Sequence, residues 1–139
     1  MLSYISALVV WIIVLTGLIL GPGGTQVSLR YFDSVLHFLG GIGLGFLWCG
    51  LAGSGLPVML SRISALFRSM TGAFVFILMC GIIWECFEIY YGISGYPLWT
   101  KLYYMDTAKD LVLDVVGGML IAGLIARKSK QQGVINDAN

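Results

Sequence analysis

Apolar residues occur along this chain in long blocks. Four blocks, about 3–21, 33–53, 70–92 and 107–126, are each close to the ~20 residues a helix needs to cross the hydrocarbon of a bilayer. Polar and charged residues fall between the blocks or near their ends. The pattern predicts an all-α polytopic membrane protein, four transmembrane helices in one compact bundle over residues 1–126. A basic, then polar cytoplasmic tail is expected over 127–139, solvated and frayed over 131–139. The first block has no Lys or Arg ahead of it and no clear small-x-small cleavage site, so it reads as a retained span. Gly21, Pro22, Gly23 and Gly24 break the helix after it.

The connections set an orientation. Arg62 and Arg68 lie between blocks two and three, and Arg127, Lys128 and Lys130 follow block four. Arg30, Lys101 and Lys109 belong to the opposite side. Five cations against three place both termini in the cytoplasm. Tyr90, Tyr91, Tyr96, Trp99, Tyr103 and Tyr104 then cluster at the outer interface, where aromatic rings are favoured. The stretch SGLPVMLSRISALFRSM is expected to lie on the inner surface as a short amphipathic segment.

The few acids are not scattered. Asp33 and His37 stand in the outer first turn of span two, and Glu85 and Glu88 in the last two turns of span three. Asp106, Asp110 and Asp114 stand in the outer turns of span four, covering about 12 Å of helix. Six carboxylates and the only histidine thus share one layer of the outer leaflet, a relation that survives inverting the topology. Residues three or four apart share a helix face. Asp33, His37, Gly40 and Gly41 therefore form one stripe, Glu85 and Glu88 a second, and Asp106, Asp110, Asp114, Gly117 and Gly118 a third. Charge facing lipid is costly, so the stripes should turn inward.

Spans two and four also share a pattern. DSVLHFLGG, residues 33–41, and DLVLDVVGG, residues 110–118, both fit Asp-x-x-x-(His or Asp)-x-x-Gly-Gly. The two spans run in the same direction, so equal spacing sets equal features at equal depth, and the helices are expected to face each other. Gly40, Gly41 and Gly45 opposite Gly117, Gly118 and Ala122 allow close backbone approach. The same stripes serve packing within one chain or association of two copies, and a homo-oligomer stays open. The match is read equally well as duplicated hairpins or as convergence.

Simpler roles compete for some of these residues. Asp33 and Asp106 stand where N-caps belong. Glu88 can reach the interface, and His37 taken alone suits a satisfied packing histidine. Asp110, Asp114 and Glu85 lie too deep for capping.

Composition narrows the partners. The chain is 58% hydrophobic and 11% charged with a formal net charge of +1, which leaves no basic face for nucleic acid outside the tail. Cys49, Cys80 and Cys86 all sit in apolar runs, read as buried small hydrophobes and not as a disulfide framework. Nucleophile-elbow, P-loop, HExxH and dinucleotide glycine motifs are missing from the sequence.

So many carboxylates in a confined volume call for cations. Asp33, His37, Glu85, Glu88, Asp110 and Asp114 are the candidate ligands of a divalent metal ion. The carboxylates favour Mg, Mn or Ca, and the single imidazole shifts the balance toward Mn or Zn. With a bound ion, His37 or Glu85 is the candidate general acid or base, and a lipid or lipid-linked phosphate of the envelope the candidate substrate. Two other functions remain open: a small proton- or cation-coupled transporter or channel subunit, and a non-catalytic assembly or envelope-stress factor. Against transport, the inner half of every span is uncharged.

The set Asp33-x-x-x-His37-Phe38, Glu85-x-x-Glu88 and Asp106-x-x-x-Asp110-x-x-x-Asp114-x-x-Gly117 resembles the VanZ-like group of small bacterial membrane proteins and the related YjdF-type proteins. The likeness covers spans two to four. VanZ-like proteins typically show Asp-x-x-x-His, then Glu-x-x-Gln, then Asp-x-x-x-Asn-x-x-Gly. Here Glu88 replaces the Gln and Asp114 the Asn, which adds negative charge and is closer to the YjdF-type arrangement. The resemblance implies a multi-pass protein of the bacterial cytoplasmic membrane and these site positions, but no reaction. One branch of the group is associated with low-level glycopeptide resistance, a role these residues give no ground to extend to this chain.

Overall fold

A computed structural model describes residues 4–12, 26–53, 69–93 and 95–137. Within them lie four helices: α1 (4–12), α2 (Gln26–Gly53), α3 (Met70–Tyr91) and α4 (Lys101–Asp137). The described residues contain no strand. The second half of the first span, the break at Gly21–Gly24 and nearly all of the expected amphipathic inner segment lie outside the described residues.

Two helices, Tyr31–Ala52 and Met70–Tyr91, are long and apolar enough to cross a membrane. In α4, every 18-residue stretch between Tyr103 and Gln132 takes in at least three charged residues, so it falls outside that description.

Helix ends are set by local chemistry. Ser69 caps α3, its hydroxyl accepting from the Gly72 N–H at 3.0 Å. Gly92 ends the helix in the left-handed region, φ 66°, where glycine carries no Cβ penalty. The Ile93 N–H then returns to the Glu88 carbonyl at 3.1 Å. After the turn, Thr100 caps α4 by accepting from the Tyr103 N–H at 3.3 Å, while its own hydroxyl donates to the Pro97 carbonyl at 2.8 Å.

These ends correct three expectations. Helix α2 begins at Gln26, so Asp33 lies about two turns inside and is not an N-cap. Thr100 takes the capping role at α4, which leaves Asp106 free of it. The tail does not fray at residue 131, since α4 continues to Asp137, with Arg127 and Lys128 exposed. Tyr103 also departs from its expected place among the exposed interface rings, being 6% exposed, whereas Tyr90, Tyr91, Trp99 and Tyr104 are exposed.

Helix α4 joins α2 and α3 in the bundle. Helix α2 packs along α4 over most of its length, α3 packs on α4, and α2 and α3 meet only sparsely. The glycine stripes lie in the α2–α4 contact. A Cβ on Gly41 would run into the Asp114 backbone, and one on Gly117 into the Phe38 carbonyl. On another face of α2, Gly43 lies against Trp11 and Gly50 against Tyr4, which seats α1 antiparallel to α2. Away from the acids, Trp48, Ala73 and Ala122 form an apolar cluster flanked by Cys49, Phe76 and Met119. Ile77 is fully buried, and its side chain fills the space beside Gly118. The three cysteines are free, Cys49 and Cys80 partly buried and Cys86 exposed.

Candidate functional site

At the opposite end of the bundle, three helices bring their acids together. Helix α2 supplies Asp33 and His37 one turn apart, α3 supplies Glu85 and Glu88, and α4 supplies Asp106, Asp110 and Asp114. The α2–α4 glycine contact sets the spacing, because only bare backbone at Gly41 lets Asp114 come up to the histidine. Gly81 does the same from α3, since a Cβ there would stand 2.8 Å from Asp114 Oδ2.

His37 is the hub, at 4% exposure. Its Nδ1 lies 3.2 Å from Asp114 Oδ2, a buried contact across 77 residues of chain. A proton on Nδ1 makes this a hydrogen bond to the carboxylate and turns Nε2 toward the other acids. Nε2 lies 3.7 Å from Glu88 Oε1, 3.8 Å from Asp33 Oδ1 and 3.9 Å from Glu85 Oε1. All three distances exceed hydrogen-bond reach.

The surrounding carboxylates are held from outside. The Thr107 hydroxyl donates to Glu85 Oε2 at 2.8 Å, and the Trp84 indole N–H to Glu88 Oε1 at 2.9 Å. Lys109 Nζ lies 2.6 Å from Asp106 Oδ1 and 3.3 Å from Asp110 Oδ1. The second contact is an ion pair by distance but lacks hydrogen-bond alignment, and Asp110 Oδ1 has no hydrogen-bond partner. His37 Nε2 and Glu85 Oε1 are likewise buried without a hydrogen-bond partner.

The same three residues form a group whose potential ligand atoms lie within 4.8 Å of one another, and all three are buried. Two further groups, Asp33 with His37 and Glu88, and Asp33 with Asp106 and Asp110, meet the same distance. All six expected ligands therefore lie in one cluster, joined by Asp106. Asp114 stands apart in one respect, bonded to the far side of the imidazole and belonging to none of the three groups.

Sequence reasoning passed over Thr107, Trp84, Gly81 and Trp11. Trp84 precedes Glu88 by four and Gly81 precedes Glu85 by four, so the face rule that grouped the acids reaches both. Thr107 precedes Asp110 by three and shares its face too, whereas Trp11 carries no such signal, because it meets its partners only through tertiary packing.

A cavity of about 330 Å³ opens beside the cluster in the gap between α2 and α3. Asp33, His37, Glu88, Asp114 and Trp11 of α1 line it.

The full extent of the chain has a counterpart among protein families. A family model described as "Predicted membrane protein (DUF2238)" matches residues 1–131. The chain belongs to this family. With its apolar helices, the DUF2238 protein sits in a lipid bilayer. No curated protein and no solved structure matches it. Membership says that it is a membrane protein and assigns no activity.

Proposed function

We propose that this protein binds one divalent cation in the buried acid–histidine cluster, with His37, Glu85 and Asp110 as the inner ligands. Asp33 and Glu88 are near enough to complete the shell. One observation carries this reading: His37 Nε2, Glu85 Oε1 and Asp110 Oδ1 are buried without hydrogen-bond partners, and their residues present ligand atoms within 4.8 Å of one another. A buried polar atom left unmade costs on the order of 1–3 kcal/mol, more when charged. A single ion satisfies all three at once.

The surroundings support it. Asp114 on Nδ1 and Thr107 on Glu85 occupy the places of outer partners that orient metal ligands. Donors up to 4.8 Å apart suit an ion held at ~2.3–2.6 Å, the calcium range. A Zn ion at ~2.0–2.2 Å requires the ligands to close by a few tenths of an ångström. The single nitrogen donor weighs toward Mn or Zn.

In this reading the chain crosses the bacterial cytoplasmic membrane four times with both termini inside, as the VanZ-like resemblance and the Lys/Arg distribution imply. The cluster then lies in the outer leaflet, where a bound ion would polarise an oxygen of an envelope lipid headgroup.

Metal content of detergent-purified protein, measured by mass spectrometry, tests the proposal. About one divalent ion per chain is expected, lost in His37→Ala and in Asp110→Asn while helix content is kept. No ion under supplementation with Mg, Mn, Ca and Zn, in a protein that stays folded, overturns the reading and brings proton-coupled transport forward.

A further inference from the structure

The cavity beside the cluster has a chemistry of its own. Glu85 and Asp110 do not line it, and it shares only His37 with the three inner ligands. Among the described residues its acidic lining is Asp33, Glu88 and Asp114, with no Lys or Arg beside them. Lys109 is engaged with Asp106 and Asp110, which do not line the cavity. Most of the remaining wall is apolar, and part of it is aromatic. Trp11 and Trp84 meet with ring centroids 6.5 Å apart and planes at 56°, and Phe87 stacks on Trp84 at 5.3 Å.

Carboxylates beside ring faces in an apolar wall suit an organic ammonium group. Ring faces attract cations electrostatically, the more so when the cation is desolvated. A phosphate head would meet three carboxylates and, among the described lining residues, no basic side chain other than His37. Water alone would leave most of an apolar wall unsolvated. At about 330 Å³ the cavity falls at the lower end of the ~300–1,000 Å³ range of small-molecule pockets. That space takes a head and the first carbons of a chain. Ile83 and Phe87, 64% and 40% exposed, form part of its rim on α3, so a hydrocarbon tail leaves sideways along an apolar helix face. His37 Nε2, buried and unpartnered, marks the polar end.

We propose that this cavity binds a hydrocarbon amphiphile through its ammonium head, with Asp33 and Glu88 as counter-charges and Trp11 and Trp84 as the ring wall. The ligand class is a lipophilic amine, either free or as an aminolipid of the bilayer. The proposal stands beside the metal reading and does not depend on it.

The test uses full-length protein in neutral detergent, stripped of metal with a chelator. Dodecyltrimethylammonium is titrated below its micelle concentration while tryptophan fluorescence is followed. Saturable binding is expected, at least tenfold weaker for tetramethylammonium and absent for dodecanol. Glu88→Gln should weaken the probe at least tenfold. Gly40→Leu is the second variant: the nearest atom to an added Cβ is Asp114 Oδ1 at 3.8 Å, so the new side chain enters the cavity and blocks it. Asp110→Asn should keep probe binding while losing metal, which separates the two proposals. In nanodiscs, displacement of the probe by phosphatidylethanolamine but not phosphatidylglycerol assigns the head to an aminolipid. Displacement by neither assigns it to free amines. Equal binding of dodecanol, displacement by phosphatidylglycerol, or full binding in folded Glu88→Gln and Gly40→Leu overturns the proposal.

Discussion

A methyl group added at Gly41 would land on the backbone of Asp114, whereas one added at Gly123 meets only Met70 Cε at 3.9 Å. Backbone cannot swing aside as a side chain can. Gly41→Ala is therefore expected to cost ~3 kcal/mol, the upper part of the overpacking range, and Gly123→Ala close to nothing. Thermal unfolding in detergent checks the pair, and equal melting temperatures would refute the close α2–α4 approach. Thr107 gives a subtler case. Thr107→Val keeps the shape but removes the hydroxyl that holds Glu85 Oε2. A ~10–100-fold weaker affinity for the divalent ion is expected, with helix content unchanged. Unaltered affinity would show that the Glu85 carboxylate needs no anchoring. At this scale the acids and His37 were legible, because a charge in an apolar block must turn inward and helical spacing says with which neighbours. The pairing of Nδ1 with Asp114 was not. It depends on a rotation of the ring that no spacing encodes.

The helices show where the apolar pattern stops being a guide. Spans two and three were legible to within a few residues, since bilayer-length apolar runs mark them. Helix starts were not: α2 begins at Gln26 and α4 at Lys101, both ahead of the apolar block. Hydrogen bonding along a helix continues wherever a cap permits, whether or not hydrocarbon surrounds it. Thr100 is the residue that sets the start of α4, through contacts with Tyr103 and Pro97. Thr100→Ala should lower stability by ~1 kcal/mol and loosen the first turn of α4, and Thr100→Ser should restore it. Amide hydrogen exchange at residues 101–104 reads the effect. Unchanged protection there would assign the helix start to something other than this cap.

Across the whole molecule, the arrangement of α2, α3 and α4 places the acids at one end and the Trp48 cluster at the other. The depth of that acidic layer was legible because parallel helices with equal spacing must align. The seat of α1 was not, since it depends on how Trp11 and Tyr4 meet the glycines of α2. Four crossings with both termini inside predict a labelling pattern. In a background without Cys49, Cys80 and Cys86, Tyr96→Cys should react with an impermeant maleimide in intact cells. Gln132→Cys should react only after lysis. The reverse pattern would invert the topology, and labelling of both in intact cells would exclude it.

His37 and Asp114 are 77 residues apart in the chain. At a synthesis rate of ~5–20 residues per second, the histidine leaves the ribosome roughly 4–15 s before its partner. During that interval α2 carries Asp33 and His37 unmatched, and this polar helix face waits for the last helix to arrive. Insertion therefore has a built-in delay. A helix in that state is a natural client for membrane chaperones and a target for proteolytic quality control. A chain that stops short of α4 is marked by its own unpaired charge.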